Sequence, residues 1–451
     1  MNKTDIFLNG LFQIIVNEVP NSVLNHAKRC FFDYLACAIA GANLVQFKET
    51  EIIKAFQLEQ GNHFVFGTKR KTTLLNSALL NGISAHYIEL DDGHRYGMMH
   101  PGAPIFSALL AINECNKLST DDLLRAAIIG YEVAIRLACA VQPGNKLKGY
   151  HATGTCGTVG VAMAVATALH FDKEQMKSAF SAATTSAAGL LEMIVGDSEM
   201  KPYNIGRAAM DGIMSAFVGK ARFKAPEDAL GGKRGFLKVM TDEPKIRYVT
   251  DFNDGHYAIE GIYRKPYAAC RHLHPAIEGG LSIAQEDSFD WRKIKSIIVK
   301  TYHLAVFGHD HQVINGINSA KMSIPYSVAV SLIKGSANME SFSDAAIKDS
   351  DVLTLAQKVT VIDDDELTAL CPGKRVSIIS VIMEDETVFE KRVDYPKGEP
   401  ENPMTDIELQ QKFKSLALFG GLSETEINDV IQEFGKQDFS INKVIEIISN
   451  L

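Results

Sequence analysis

Apolar residues recur at helical spacing from Asn21 to about Phe223 and predict a long succession of helices. Asp33, Leu35, Ala36 and Ile39 fall in a helix expected to end near Gly41. Between Asp121 and Ala140, Leu123, Ala126, Ile129, Val133 and Leu137 mark one apolar face. Thr158–Leu169 and Met176–Leu191 continue the pattern with many small residues, among them Ala162, Ala164, Ala166, Ala182, Ala183 and Gly189. Small side chains let helix axes approach closely, so these segments predict a compact helical core. After Tyr263 the period changes. Ile294–Tyr302, Val359–Ile362 and Val376–Met383 are β-branched, and Glu384–Thr387 turns the chain into a strand over Val388–Val393. One helix, Tyr326–Ile333, is expected between the strands, and helices return over Asp406–Leu418, after a capping box at Ser423–Glu426, and over Ile441–Ile448.

The order is a helical region over 1–262, an α+β unit over 263–398 and a helical tail over 399–451. A chain of 451 residues exceeds what one compact core needs. The net charge of −8, and basic runs no longer than Lys69–Arg70–Lys71, argue against a nucleic-acid partner. Met1–Gly10 carries no apolar signal-peptide core, and the uncharged stretch Ala152–Leu169 is too short and too mildly apolar for a span, so no membrane association is expected. Seven cysteines at irregular spacing, without a CxxC pair, suggest buried reduced thiols and a cytoplasmic protein.

Four segments set ionisable residues among Gly and Ala. The first runs from Asn81 through His86, Glu89, Asp91, Asp92, Gly93, His94 and Arg95 to His100. A loop this polar between rigid helices suits function, although Asx turns and helix caps use the same residues. A metal held by Glu89, Asp91, His94 and His100 is another option, but the spacing matches no established motif. The second segment places His151 before a buried small-residue helix, whose dipole would lower its pKa and favour a neutral base. The third sets Lys201 before Pro202 at a helix start, and a solvated lysine is the plain alternative. The fourth, Lys265–Pro275, gathers Lys265, Cys270, Arg271, His272 and His274. Its HxH lacks a third zinc ligand at a standard spacing. His309-Asp310-His311 reads as a surface loop. Without GxGxxG after a strand, a Walker loop or GxSxG, no dinucleotide, phosphate-loop or α/β-hydrolase chemistry is supported.

In this order the segments resemble the MmgE/PrpD family, which includes 2-methylcitrate dehydratase, cis-aconitate decarboxylase and iminodisuccinate epimerase. The likeness spans nearly the whole chain, through Asp33-Tyr34-Leu35, Asn81–Gly102, Gly130-Tyr131-Glu132, His151-Ala152-Thr153-Gly154, Lys201 with Gly206, Lys265-Pro266-Tyr267, Ser323–Tyr326 and Lys397–Pro403. It implies a mainly α protein with an α+β second domain: a large all-helical domain built from both chain ends plus a smaller α+β lid domain. It also implies a homodimer, no cofactor, and an active site between the domains. Carried over by position, the active-site residues are His100, His151, Lys201 and Lys265. Glu89 stands where the decarboxylase pattern has Asp, Gly93 where it has Thr and Cys270 where it has His, which speaks against cis-aconitate decarboxylation.

The implied substrate is a small di- or tricarboxylate losing a proton beside a carboxylate. Charge then grows on an anion, so fixed cations must face it. Lys201, Lys265, Arg271 and Arg95 suit that role, with Glu89, Asp91, His94, His272 and Tyr326 expected to line the substrate. His151 is the expected base, and cations clustered near Lys201 are expected to make it the partner, with Cys270 as an alternative acid. The leading reading is a dehydratase or hydratase acting on a 2-methylcitrate-like acid. Epimerisation of an iminodisuccinate-like dicarboxylate is the alternative, ahead of decarboxylation or polycarboxylate binding without turnover.

Overall fold

The computed structural model describes residues 1–55, 61–68, 71–195, 198–252 and 255–448, so Lys69 and Arg70 of the longest basic run lie outside the described residues. The chain forms two compact units. One comprises Met1–Met193, Met200–Tyr263 and Thr405–Leu451, and the other Ile194–Glu199 and Arg264–Met404.

The first unit is built of helices: α1 (Lys3–Val16), α2 (Asn21–Ala55), α3 (Leu74–Tyr87), α4 (Gly102–Asn116), α5 (Thr120–Val141), α6 (Ala152–Ala168), α7 (Lys173–Ser186) and α8 (Met200–Lys220). Helix α6 is buried along almost its whole length and packs against both α5 and α8. Its Ala, Gly and Thr residues permit this, since a helix surrounded on all sides cannot project long side chains. Helix α3 crosses α8 where Gly82 meets Gly206: a Cβ on Gly82 would stand 2.8 Å from the Gly206 Cα.

The expected end of the second helix near Gly41 is not a helix end. Helix α2 continues to Ala55, and Gly41 marks a close crossing, where a Cβ would lie 1.9 Å from the Ser84 carbonyl oxygen. Met176–Leu191 likewise breaks into α7 and a short 3-10 turn at Leu191–Ile194. Helix α2 is also long and apolar enough to cross a membrane, yet 78% of its most apolar window is buried, as in a core helix. The tail supplies three more helices, Asp406–Phe419, Glu424–Gly435 and Ile441–Ile448, and the first packs on α2. The capping box at Ser423 is present.

The second unit holds a four-stranded sheet in the order Val359–Asp363, Ile294–Thr301, Ser377–Met383, Val388–Val393. The first pair is parallel and the others antiparallel. Ser377–Met383 alternates buried and half-buried positions, the pattern of a strand covered on one face. Helices His274–Ala284 and Ile324–Lys334 pack against each other in this unit. The protein is thus mainly α with a smaller α+β part.

One core group departs from apolar packing. Glu49 in α2 is fully buried and accepts a 2.7 Å hydrogen bond from the Ser84 hydroxyl. Burial drives its carboxyl pKa up to about 8, against a smaller lowering by Ser84. A raised folded-state pKa means the folded protein holds this proton more tightly than the unfolded chain does. The stability it contributes is complete below the ordinary carboxyl range and is lost as pH rises through about 8. Glu49→Gln should therefore raise the unfolding midpoint at pH 9 and leave it nearly unchanged at pH 4, by up to about 1.4 kcal/mol per pH unit crossed. Urea unfolding at both pH values checks this, and an equal gain at both would refute a buried neutral carboxyl.

Candidate active site

The polar cluster grows out of the end of α3. The helix stops at Tyr87, Ile88 caps it, and Glu89 adopts a left-handed backbone with φ of 58°. Such a conformation is uncommon for a residue with a side chain and tends to persist where function or packing requires it. It turns the Glu89 carboxylate onto the Lys201 ammonium in the first turn of α8, forming a direct ion pair. Glu89 Oε1 also lies 3.0 Å from His86 Nε2. On its other side His86 donates from Nδ1 to the Asp91 carboxylate, with both oxygens at 2.8 Å. His86 is thus a fully buried imidazole between two carboxylates.

His100 completes the group. Its ring lies 4.8 Å from that of His86, and its Nδ1 donates to the Asp92 carbonyl at 2.8 Å. The backbone N–H of His100 donates to Thr153 Oγ1 at 3.0 Å, which ties this loop to the start of α6. His86, Glu89 and His100 each offer one metal-ligating atom, all within 4.8 Å of one another.

His151 sits one residue ahead of α6 as its cap residue. Its Nδ1 is 2.8 Å from Asn204 Oδ1, and the Asn204 amide is oriented by its own donation to the Ala188 carbonyl at 3.3 Å. Nδ1 therefore carries the proton and Nε2 the lone pair. The His151 pKa falls to about 3: burial is the main cause, Lys201 and His86 add to it, and the Asn204 bond and Glu89 oppose it. The neutral imidazole expected at a helix start is present, but burial is its leading cause.

A buried scaffold carries this loop. The Asp92 carboxylate accepts from the Tyr131 hydroxyl at 2.5 Å and from the Gly102 backbone at 3.0 Å. Its pKa is raised to about 7, chiefly by burial with help from Asp33 and Asp91, against the lowering by Tyr131 and Gly102. Lys412, in the tail helix Asp406–Phe419, donates to Asp33 at 2.6 Å and to the Leu90 carbonyl at 2.7 Å. Burial is the largest single effect and lowers the Lys412 pKa, but Asp33, Cys37 and Asp91 together outweigh it and leave the ammonium held above its usual range.

Most of the remaining predicted residues already have partners. Asp91, expected to line the substrate, is 2% exposed and grips His86. His94 accepts the Gly97 N–H on Nδ1 at 3.0 Å, so it shapes its own loop, and Arg95 stacks on the Tyr96 ring. Lys201, expected to lie among clustered cations, has the Glu89 carboxylate as its partner. In the second unit the Arg271 guanidinium, expected to clamp a substrate carboxylate, already holds Glu399 through Nε and Nη2 at 3.1 and 2.9 Å. His272 Nδ1 pairs with the Tyr302 hydroxyl at 2.7 Å, and the Tyr326 hydroxyl donates to the Ser341 carbonyl at 2.8 Å. Cys270 is half-buried, Lys265 is buried, and every described cysteine is a free thiol. His309 and His311 lie in an irregular stretch outside helix and strand.

Sequence reasoning placed His86 in the first segment without a role and gave none to Asn204 or Lys412. His86 sits among apolar residues in α3 and reads as a core histidine. Its only advance signal is the spacing His86–Glu89, one helical turn that sets both side chains on one face.

As a set, the helical-unit residues can move protons. A neutral imidazole, an ammonium on a carboxylate and a second imidazole provide an acceptor, a fixed positive charge and a donor in one buried neighbourhood. The family model for the MmgE/PrpD N-terminal domain matches residues 11–249, and that for the MmgE/PrpD C-terminal domain matches residues 267–433. The chain is similar to cis-aconitate decarboxylase of Aspergillus terreus, with 25% identity over 90% of this chain and 87% of that protein. It is similar to a cis-aconitate decarboxylase-like protein, oryM, of Aspergillus oryzae (strain ATCC 42149 / RIB 40), at 26% over 92% of this chain and 90% of that protein. Human cis-aconitate decarboxylase is 23% identical over 92% and 87%. With both domain models matched along most of its length, the chain belongs to the MmgE/PrpD family of enzymes.

Proposed function

We propose that the protein is a cofactor-independent lyase that removes a proton beside a carboxylate of a small hydroxy di- or tricarboxylic acid and expels the hydroxyl as water. The observation that carries this reading is His151: a buried imidazole with its lone pair on Nε2, close enough to Lys201 and Glu89 for their charges to act on it.

His151 Nε2 takes the proton, and the electrons of the broken C–H bond become those of the new double bond. Lys201 faces the charge growing on the adjacent carboxylate, a fixed cation in a site with little water. His100, protonated on both nitrogens, gives a proton to the departing hydroxyl as the C–O bond breaks, so water leaves. Two of the relatives are named for a decarboxylation. Gly93, which stands where the decarboxylase pattern has Thr, supports a different reaction here. A Cβ at this position would lie 2.4 Å from the Tyr263 hydroxyl and 2.9 Å from the Met99 carbonyl, so no side chain fits without moving Tyr263.

A base with a pKa of about 3 is too weak for a carbon acid unless the substrate strengthens it. The substrate's carboxylates do so by setting negative charge beside the ring, which favours imidazolium. An uncharged ester of the same acid should therefore bind poorly and also fail to exchange.

Proton–deuterium exchange in heavy water, followed by NMR over a panel of small di- and tricarboxylates, tests the reading. Deuterium should enter at one α-carbon of one class of acid. His151→Gln should slow it by at least about 100-fold, within the range typical of a general base. Lys201→Met should slow it comparably. Wild-type exchange in both variants would remove these roles, and exchange with none of the acids would remove the carbon-acid reading.

The same histidine sets an acid limit on stability. Its folded pKa lies below the ordinary imidazole value, so between about 3 and 6.5 the unfolded chain binds the extra proton. The penalty is absent above this window and grows as pH falls through it, at about 1.4 kcal/mol per pH unit at most. His151→Gln should flatten the fall in unfolding free energy between pH 6 and pH 4.5. An unchanged slope would show that His151 is not held neutral.

A further inference from the structure

We infer that His86, Glu89 and His100 form a zinc-binding site, and that an ion held there shuts down the site containing Lys201. Each of the three offers a ligand atom within 4.8 Å of the others. The surroundings fit a metal better than proximity alone would require. His86 Nδ1 is engaged by Asp91 and His100 Nδ1 by the Asp92 carbonyl, both at 2.8 Å. Whenever either ring is neutral, this leaves its lone pair on Nε2. Metal-binding histidines are oriented in this way, with one ring nitrogen donating to a carboxylate or carbonyl and the other facing the ion.

A second observation points to a cation. His86 Nε2 is fully buried and makes no hydrogen bond, while Glu89 Oε1 stands only 3.0 Å away. With Nδ1 donating to Asp91, a neutral ring would set its Nε2 lone pair against this carboxylate oxygen, and a cation between them, a proton or a metal ion, turns that repulsion into two bonds. Two imidazoles and one carboxylate suit zinc, whereas magnesium and calcium prefer sites made only of oxygen. Bond lengths of about 2.1 Å require the three groups to draw together. Glu89 must also give up Lys201, so zinc and the lysine ammonium compete for one carboxylate.

That competition yields variants with opposite signs. In the chelator-treated full-length protein, zinc titrated against a chromophoric chelator should bind at one ion per chain. His86→Ala and His100→Ala should weaken binding at least about 100-fold, and Asp91→Asn, which only releases the His86 ring, by about 10-fold or more. Lys201→Ala should tighten it, a result that unfolding cannot imitate. Cobalt in place of zinc should give the absorption of a nitrogen- and oxygen-ligated ion. Absence of binding, wild-type affinity in both histidine variants, weaker binding in Lys201→Ala, or a sulfur-to-cobalt charge-transfer band from one of the free cysteines would each overturn the site. The shutdown rests on the carbon-acid reading: exchange by the wild type should fall along the zinc-binding curve, and undiminished exchange at saturation would refute it. A protein that exchanges no acid but binds zinc as described would sink the reaction and keep the metal site.

Discussion

The close crossing of α3 and α8 at Gly82 and Gly206 is the constraint on which the site depends. Glycine within a helix costs about 1 kcal/mol relative to alanine, so two of them facing each other need a return in packing. The return is distance. With no side chain between the backbones, the helices run close enough that Glu89, two residues beyond the end of α3, meets Lys201 in the first turn of α8. A methyl group at either glycine would wedge the pair apart and separate the carboxylate from the ammonium before disturbing any residue of the site itself.

Electrostatics then decide what the loop after α3 can hold. Asp33, Glu89, Asp91 and Asp92 are all buried in one unit, and four unpaired carboxylates could not remain there. Each has a different remedy. Asp33 takes Lys412, Glu89 takes Lys201, Asp91 takes the N–H of His86, and Asp92 rises to a pKa of about 7 beneath the Tyr131 hydroxyl. Lys412 also holds the Leu90 carbonyl, so the tail helix anchors the chain between Glu89 and Asp91. Removing one member of a buried ion pair typically costs about 3–5 kcal/mol, because the other charge is left stranded. The C-terminal helices therefore belong to the site, although none of their residues takes part in the proposed proton transfer.

Much of this was legible in the sequence and some was not, for definable reasons. Periodicity located the helices and strands because it records which face is buried, and the change of period after Tyr263 separated the α+β part. Gly41 was misread because a glycine that ends a helix and one that lets a helix be crossed look alike in one dimension. Only the Ser84 carbonyl at 1.9 Å from its absent Cβ tells them apart. Ionisable residues among Gly and Ala flagged Glu89, His100, His151 and Lys201, but could not assign partners. Arg271 looks like a carboxylate clamp from its neighbours, and it is one, for Glu399 far along the chain. The Asp33–Lys412 pair spans 379 positions, beyond the reach of any local pattern. His151 was expected to be neutral because of a helix dipole, whereas the larger effect is burial, which depends on all that packs around it.

The resting pairing of Lys201 with Glu89 also bears on how an anionic substrate can enter. A carboxylate arriving at Lys201 must replace the one already there, so binding exchanges one ion pair for another and gains little net Coulomb energy at that contact. The gain lies in what is released. Glu89, freed from the ammonium, stands 3.0 Å from His86 and within the electrostatic reach of His151. Its negative charge then adds to that of the substrate in raising the basicity of the imidazole. On this account burial, with a smaller contribution from Lys201 and His86, holds His151 as a weak base until a polycarboxylate arrives. Under the proposed reaction, basicity would then appear only when a carbon acid is present to use it, so a base nearly inert in the resting site could still serve in a bound one.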